Sequence, residues 1–146
     1  KAAATISPSK TANGWQRALQ DAELNPEDID YINVHGTSTP VGDVSEAKAI
    51  KDLFGDAAYK LNISSTKSMT GHECWMAGAS ELIYSILMMQ HDFIAPNINF
   101  ETPDEDSAKL NIIGSTQQKS INAFLSNSFG FGGTNSALII KKMPIS

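Results

Sequence analysis

Apolar positions recur along this chain at two different spacings, and the alternation between them lays out its elements. Trp15, Ala18, Leu19 and Ala22 fall at helical spacing, so residues 13–23 are expected to form an amphipathic helix. Asn25 followed by Pro26 is a helix start, a capping side chain before a residue preset for the first turn, and a turn or so is expected over residues 26–30. Tyr31, Ile32, Asn33 and Val34 then read as a short strand, and residues 35–42 as a loop. Asp43 is positioned to cap the next helix, whose stripe is Ala47, Ile50, Leu53 and Phe54, with Gly55 as its stop. A strand is expected at residues 61–63, a polar loop at 64–71 and a helix at about 73–91. Residues 93–106, with Pro96 and Pro103, should be extended and irregular. Residues 110–113, 121–127 and 136–141 are strand candidates, and a loop with three glycines fills 128–135. This order implies an α/β fold, a mixed sheet flanked by helices.

Length and charge narrow the picture. One domain of ordinary size fits 146 residues, and 41% hydrophobic against 18% charged residues favours folding over disorder. A net charge of -5 argues against nucleic acid as a partner. Cys74 is the single cysteine, which excludes an internal disulfide and fits a reducing, cytoplasmic setting. The longest apolar stretch, residues 82–89, is too short to span a membrane. The opening KAAATISPSK lacks the apolar core of a signal peptide and reads as the cut end of something longer.

Three polar, glycine-bearing loops follow strand candidates, where ligands bind in open α/β sheets. The first runs from His35 through Thr37 and Thr39 to Asp43. An imidazole at a strand end is placed for proton exchange, although on physics alone a histidine satisfied in a turn is the leading reading. The second holds Lys67 and His72 and leads into a helix N-terminus, which biases His72 toward its neutral, donor form. Taken alone, Lys67 reads as a solvated surface lysine. The third is Asn127 to Asn135, where Phe129 and Phe131 alternate with Gly130 and Gly132. Those rings either cover something or tuck into the core. A dinucleotide loop is rejected, because the third glycine is absent and a strand-like run follows. His72-Glu73 opens a zinc-protease pattern that fails at Met76, and no other metal spacing is present, so no metal is expected. Cys74 is expected to be buried and structural, pointing to a different helix face from His72.

Together, His-Gly-Thr-Ser-Thr-Pro-Val-Gly-Asp, Thr-Lys-Ser-Met-Thr-Gly-His and Asn-Ser-Phe-Gly-Phe-Gly-Gly-Thr-Asn, with Phe-Ile-Ala-Pro-Asn-Ile-Asn between the second and third, resemble the β-ketoacyl-acyl carrier protein synthases over residues 19–142. The likeness is greatest to the bacterial dissociated enzymes that elongate acyl chains. It implies a thiolase-like fold of two similar α/β halves, with residues 1–146 as the C-terminal half. The family's nucleophilic cysteine lies in the other half, and Cys74 does not match it. The resemblance further implies decarboxylating condensation of malonyl and acyl thioesters on the phosphopantetheine arm of acyl carrier protein, with no metal or redox cofactor. In that scheme His35 and His72 stabilise the enolate and Lys67 supports them. Thr37 and Thr39 bond the arm, and Phe129, Gly130, Phe131 and Gly132 form a gate. Asp43 and Glu46 anchor Lys67 or the loops, and Glu81 joins that network. The partners implied are acyl carrier protein, the missing half and, at full length, a second copy in a homodimer.

A lone half is expected to be inactive and to self-associate through its uncovered apolar face. One departure stands out. Small residues usual after the second histidine give way to Cys74, Trp75 and Met76, which bears on acyl chain length. Two other identities stand as alternatives: a non-catalytic partner subunit of the chain-length-factor type, and a ketosynthase fragment of a polyketide synthase. Retention of both histidines and Lys67 argues against the first.

Overall fold

Strands that pair in parallel between helical layers are buried on both faces, and their sequences lose the simple alternation of a half-exposed strand. In the computed structural model, which describes residues 8–98, 105, 107–130 and 132–143, three such strands lie side by side. β1 (Tyr31–Asn33) is flanked by β2 (Asn62–Ser64) and β5 (Ala123–Phe129), all parallel. β6 (Asn135–Lys141) returns antiparallel beside β5 and gives the sheet order β2-β1-β5-β6. The mixed sheet expected from the sequence is therefore present.

Helices α1 (Pro8–Ala22) and α2 (Pro40–Phe54) cover one face, where Trp15, Leu19, Ile50 and Phe54 pack on Ile32, Ile63 and Leu125. α4 (Ala77–Gln90) covers the other, where Met88 and Met89 meet Tyr31 and Phe124. Successive strand residues point to opposite faces. Ile32 therefore faces the α1–α2 layer, whereas Tyr31 and Asn33 face α4.

Several expected boundaries move. α1 starts at Pro8, five residues before the expected position. α2 starts at Pro40 with Thr39 as its cap, so Asp43 is a first-turn residue whose N–H already bonds the Thr39 carbonyl. The polar loop after β2 contains one helical turn, α3 (Lys67–Thr70). The long helix expected at 73–91 is interrupted by a 3₁₀ turn, Cys74–Met76, ahead of α4. Cys74 has φ +52°, and a residue in that left-handed region cannot continue a right-handed helix. Residues 110–113 contribute one bridge, Ile63 to Ile112, and no strand. A small antiparallel pair, β3 (Phe93–Ile94) with β4 (Gln117–Gln118), was not expected. No helix among the described residues is long and apolar enough to cross a membrane.

Candidate active site

Because β1, β2 and β5 run in parallel, the chain leaves all three at one edge of the sheet. His35 follows β1, Lys67 follows β2, and Phe129 ends β5, which extends three residues beyond its pairing with β1. His72 comes up beside them on the turn that leads into α4.

The His35 loop is gripped by its backbone. The N–H groups of His35 and Gly36 donate to the two oxygens of Glu46, each at 2.8 Å. Asn127 donates to the same carboxylate at 2.7 Å, and its own oxygen accepts the Trp15 indole N–H at 3.0 Å. Glu46 thus ties α2, β5 and α1 to the loop. Burial outweighs its three hydrogen bonds and pushes its carboxyl up to about 7. Gly36 is needed where it stands. Its φ is +40°, and a Cβ there would meet the Ser65 side chain at 2.7 Å.

The buried His35 ring touches His72 and Phe129. His72 lies edge-on with centroids 5.2 Å apart, and Phe129 packs at the same distance on another side. The Phe129 N–H donates to His35 Nδ1 at 3.4 Å. Burial, the Lys67 ammonium and His72 together bring its pKa down to about 4. The ring is therefore neutral near pH 7, and with Nδ1 accepting, its proton sits on Nε2. His72 is exposed, and its Nδ1 accepts the Cys74 N–H at 3.1 Å. In its neutral form it too keeps the proton on Nε2. Two adjacent imidazoles, each with Nε2–H as the donor, can hydrogen-bond an oxygen that gains negative charge.

Lys67 is buried, contrary to the surface reading its sequence position invites, and it forms an ion pair with Glu81 of α4. Burial raises the Glu81 carboxyl while Lys67 opposes that rise. Glu81 therefore joins Lys67 directly, whereas Glu46 braces the His35 loop and Asp43 lines a cavity of about 580 Å³ beside α2. Thr39 borders that cavity, and its hydroxyl lies 3.2 Å from that of Thr37. The cavity reaches Lys67, but neither imidazole lines it. Gly130 and Gly132 form a tight turn in which the Gly130 N–H donates to the Thr134 carbonyl at 2.7 Å. Phe131 lies outside the described residues.

Cys74 corrects an expectation. It is exposed, not buried, and lies in no α-helix. Its left-handed backbone turns its N–H back onto His72, and its thiol approaches the His72 carbonyl at 3.7 Å. Sequence reasoning missed Asn33, Thr66 and Ser85, a buried polar group beneath Lys67. An asparagine inside an apolar strand run was the available signal, since such a group must be hydrogen-bonded.

Residues 1–101 match the family model described as "Beta-ketoacyl synthase, C-terminal domain". The chain is 55% identical over 115 residues to 3-oxoacyl-[acyl-carrier-protein] synthase 1 of Escherichia coli, a match covering 79% of the chain and 28% of that protein. Against the enzyme of the same name from Haemophilus influenzae it is 52% identical over 139 residues, covering 94% and 33%. A ketosynthase of a type II polyketide synthase, solved in complex with its acyl-carrier protein, superposes with a TM-score of 0.89 at 34% identity, covering 94% of this chain and 34% of that one. The chain spans about a third of the length of these relatives.

Proposed function

Since the chain belongs to the β-ketoacyl synthase family, where it matches the C-terminal domain, we propose that it is the C-terminal half of a 3-oxoacyl-[acyl-carrier-protein] synthase of fatty acid elongation. The observation that carries this reading is the pair of imidazoles in contact at 5.2 Å, each with a backbone N–H on its Nδ1. In the complete enzyme the nucleophilic cysteine, supplied by the other half, takes an acyl group from acyl carrier protein as a thioester. Malonyl-carrier protein follows, and Nε2–H of His35 and His72 donate to its thioester carbonyl oxygen. Carbon dioxide leaves with its C–C bond electrons staying behind as the enolate, which the two donors stabilise. The enolate carbon attacks the acyl-cysteine, the thiolate departs, and the 3-ketoacyl product stays on the carrier.

Burial keeps His35 neutral, and Lys67, locked to Glu81, adds to that effect with its positive charge. Thr37 and Thr39 receive the phosphopantetheine arm, and residues 129–132 form the gate. No cofactor beyond the arm is needed. The carrier protein in the similar ketosynthase complex supports the same partner here. Trp75, Met76, Ile83 and Leu87 are exposed around the His72 turn and along α4. They support a role for the other half as the cover of this face. The family resemblance adds a cytoplasmic homodimer.

In the complete enzyme, His35→Ala and His72→Ala should each lower malonyl decarboxylation by about 10²–10³-fold while the cysteine still accepts acyl groups, at least in part. Equal loss of both steps would make the imidazoles structural and end this reading. The chain alone should not condense, and turnover at enzyme-like rates would refute that.

A further inference from the structure

One side chain reaches both supports of the Lys67–Glu81 pair. Asn33, the last residue of β1, is fully buried on the α4 face of the central strand. Its amide donates to the Thr66 hydroxyl at 3.2 Å and to the Ser85 hydroxyl at 3.1 Å, and its oxygen accepts the Thr66 N–H at 3.4 Å. Thr66 immediately precedes Lys67. Ser85 lies one helical turn beyond Glu81 and donates its own hydroxyl to the Glu81 carbonyl at 2.8 Å. A single amide therefore holds the residue before the ammonium and the turn after the carboxylate.

We propose that Asn33 is a positioning residue for malonyl decarboxylation, acting by setting Lys67 against Glu81; this rests on the function proposed above. Both amide hydrogens and one lone pair of the oxygen are used, so the buried group is satisfied and its geometry is fixed. Cohesion of the sheet does not call for it. The β1–β2 pair already has its ladder, and two residues earlier Tyr31 and Ser64 join their hydroxyls at 2.9 Å. Asparagine is disfavoured in strands, and leucine has the same branched shape without a polar atom. What the amide adds is a shared anchor for the two segments that the ion pair joins. Without it the Lys67 loop and α4 are free to shift relative to each other. A displacement of that kind moves the positive charge behind His35 and with it the stabilisation of the enolate.

The test is a double-mutant cycle in the complete enzyme, following malonyl-carrier decarboxylation with rates normalised to folded protein. Asn33→Leu should lower kcat by about tenfold and leave KM within about twofold, because the group never touches substrate. In a Lys67→Met background the same change should alter the residual rate by less than about twofold. An equal loss in both backgrounds would show a general structural role and overturn the proposal. Should Asn33→Leu fail to fold, Ser85→Ala and Thr66→Val each remove one bond of the Asn33 amide and carry the same cycle. Decarboxylation that depends on His35 but not on Lys67 would overturn this inference and leave the function standing; independence of both would overturn the function itself.

Discussion

The two imidazoles of the site touch, yet the chain holds them in opposite ways. His35 is buried, its loop is clamped by Glu46, and its ring is pressed by Phe129. The charge behind it, Lys67, is paired out of water. His72 stands on an exposed turn, fixed by one backbone hydrogen bond from a residue in a left-handed conformation. Beside it Trp75 has no cover at all, with 102% of its surface open. The first side obtains its geometry from this chain alone. The second obtains only its tautomer, and the exposed rings and aliphatic groups around it mark the face that the proposed other half would cover.

That contrast can be broken most severely at Lys67. Lys67→Ala leaves Glu81 buried without its partner and should destabilise the chain by about 3 kcal/mol or more in urea unfolding. A loss below about 1 kcal/mol would mean that the buried side is less rigidly set than its ion pair implies. A smaller effect should separate the histidines themselves. His35→Ala opens a cavity and removes the acceptor of the Phe129 N–H, at a cost of about 2 kcal/mol, whereas His72→Ala should stay within about 0.5 kcal/mol in the isolated chain. Similar costs for both would erase the distinction.

The smallest effect is a pH slope set on the buried side by His35 and Glu46. The His35 pKa is lowered to about 4, so the unfolded chain holds the extra proton between about pH 6.5 and 4, and stability is lost as pH falls through that window. The Glu46 carboxyl is raised to about 7, so the folded chain holds the extra proton between about pH 4.5 and 7, and stability is lost as pH rises there. The two slopes oppose each other where they overlap. Glu46→Gln removes the second, and the free energy of unfolding should then climb between pH 4.5 and 6.5 by about 1–2 kcal/mol more than in the parent. An unchanged profile would show that Glu46 does not titrate in this range.

The sequence made the sheet legible because apolar runs end in polar, glycine-bearing loops, and parallel strands bring such loops to one edge. The contact between His35, His72 and Phe129 follows from that layout. What stayed hidden depended on partners far along the chain. Lys67 looks solvated until Glu81, fourteen residues later, comes beneath it. Cys74 sits among residues that a helix accepts, and the hydrogen bond to His72 accompanies a backbone that local preference does not foretell. Thr39 and Asp43 are both good caps, and only the Thr39 carbonyl bonding the Asp43 N–H decides between them. Asn33 was passed over because a short strand was read for its apolar members, although its one amide was the unusual residue.

The chain contains two tryptophans, and they occupy opposite extremes of environment. Trp15 is enclosed beside Phe54 with its N–H bonded to Asn127, so its emission should be blue-shifted and sheltered from aqueous quenchers until the core opens. Trp75 lies wholly in water, and its emission should be red-shifted and quenched freely. Whatever settles over the His72 turn will move the second signal and leave the first unchanged. Light from one indole therefore follows the folding of this chain, and light from the other follows its completion.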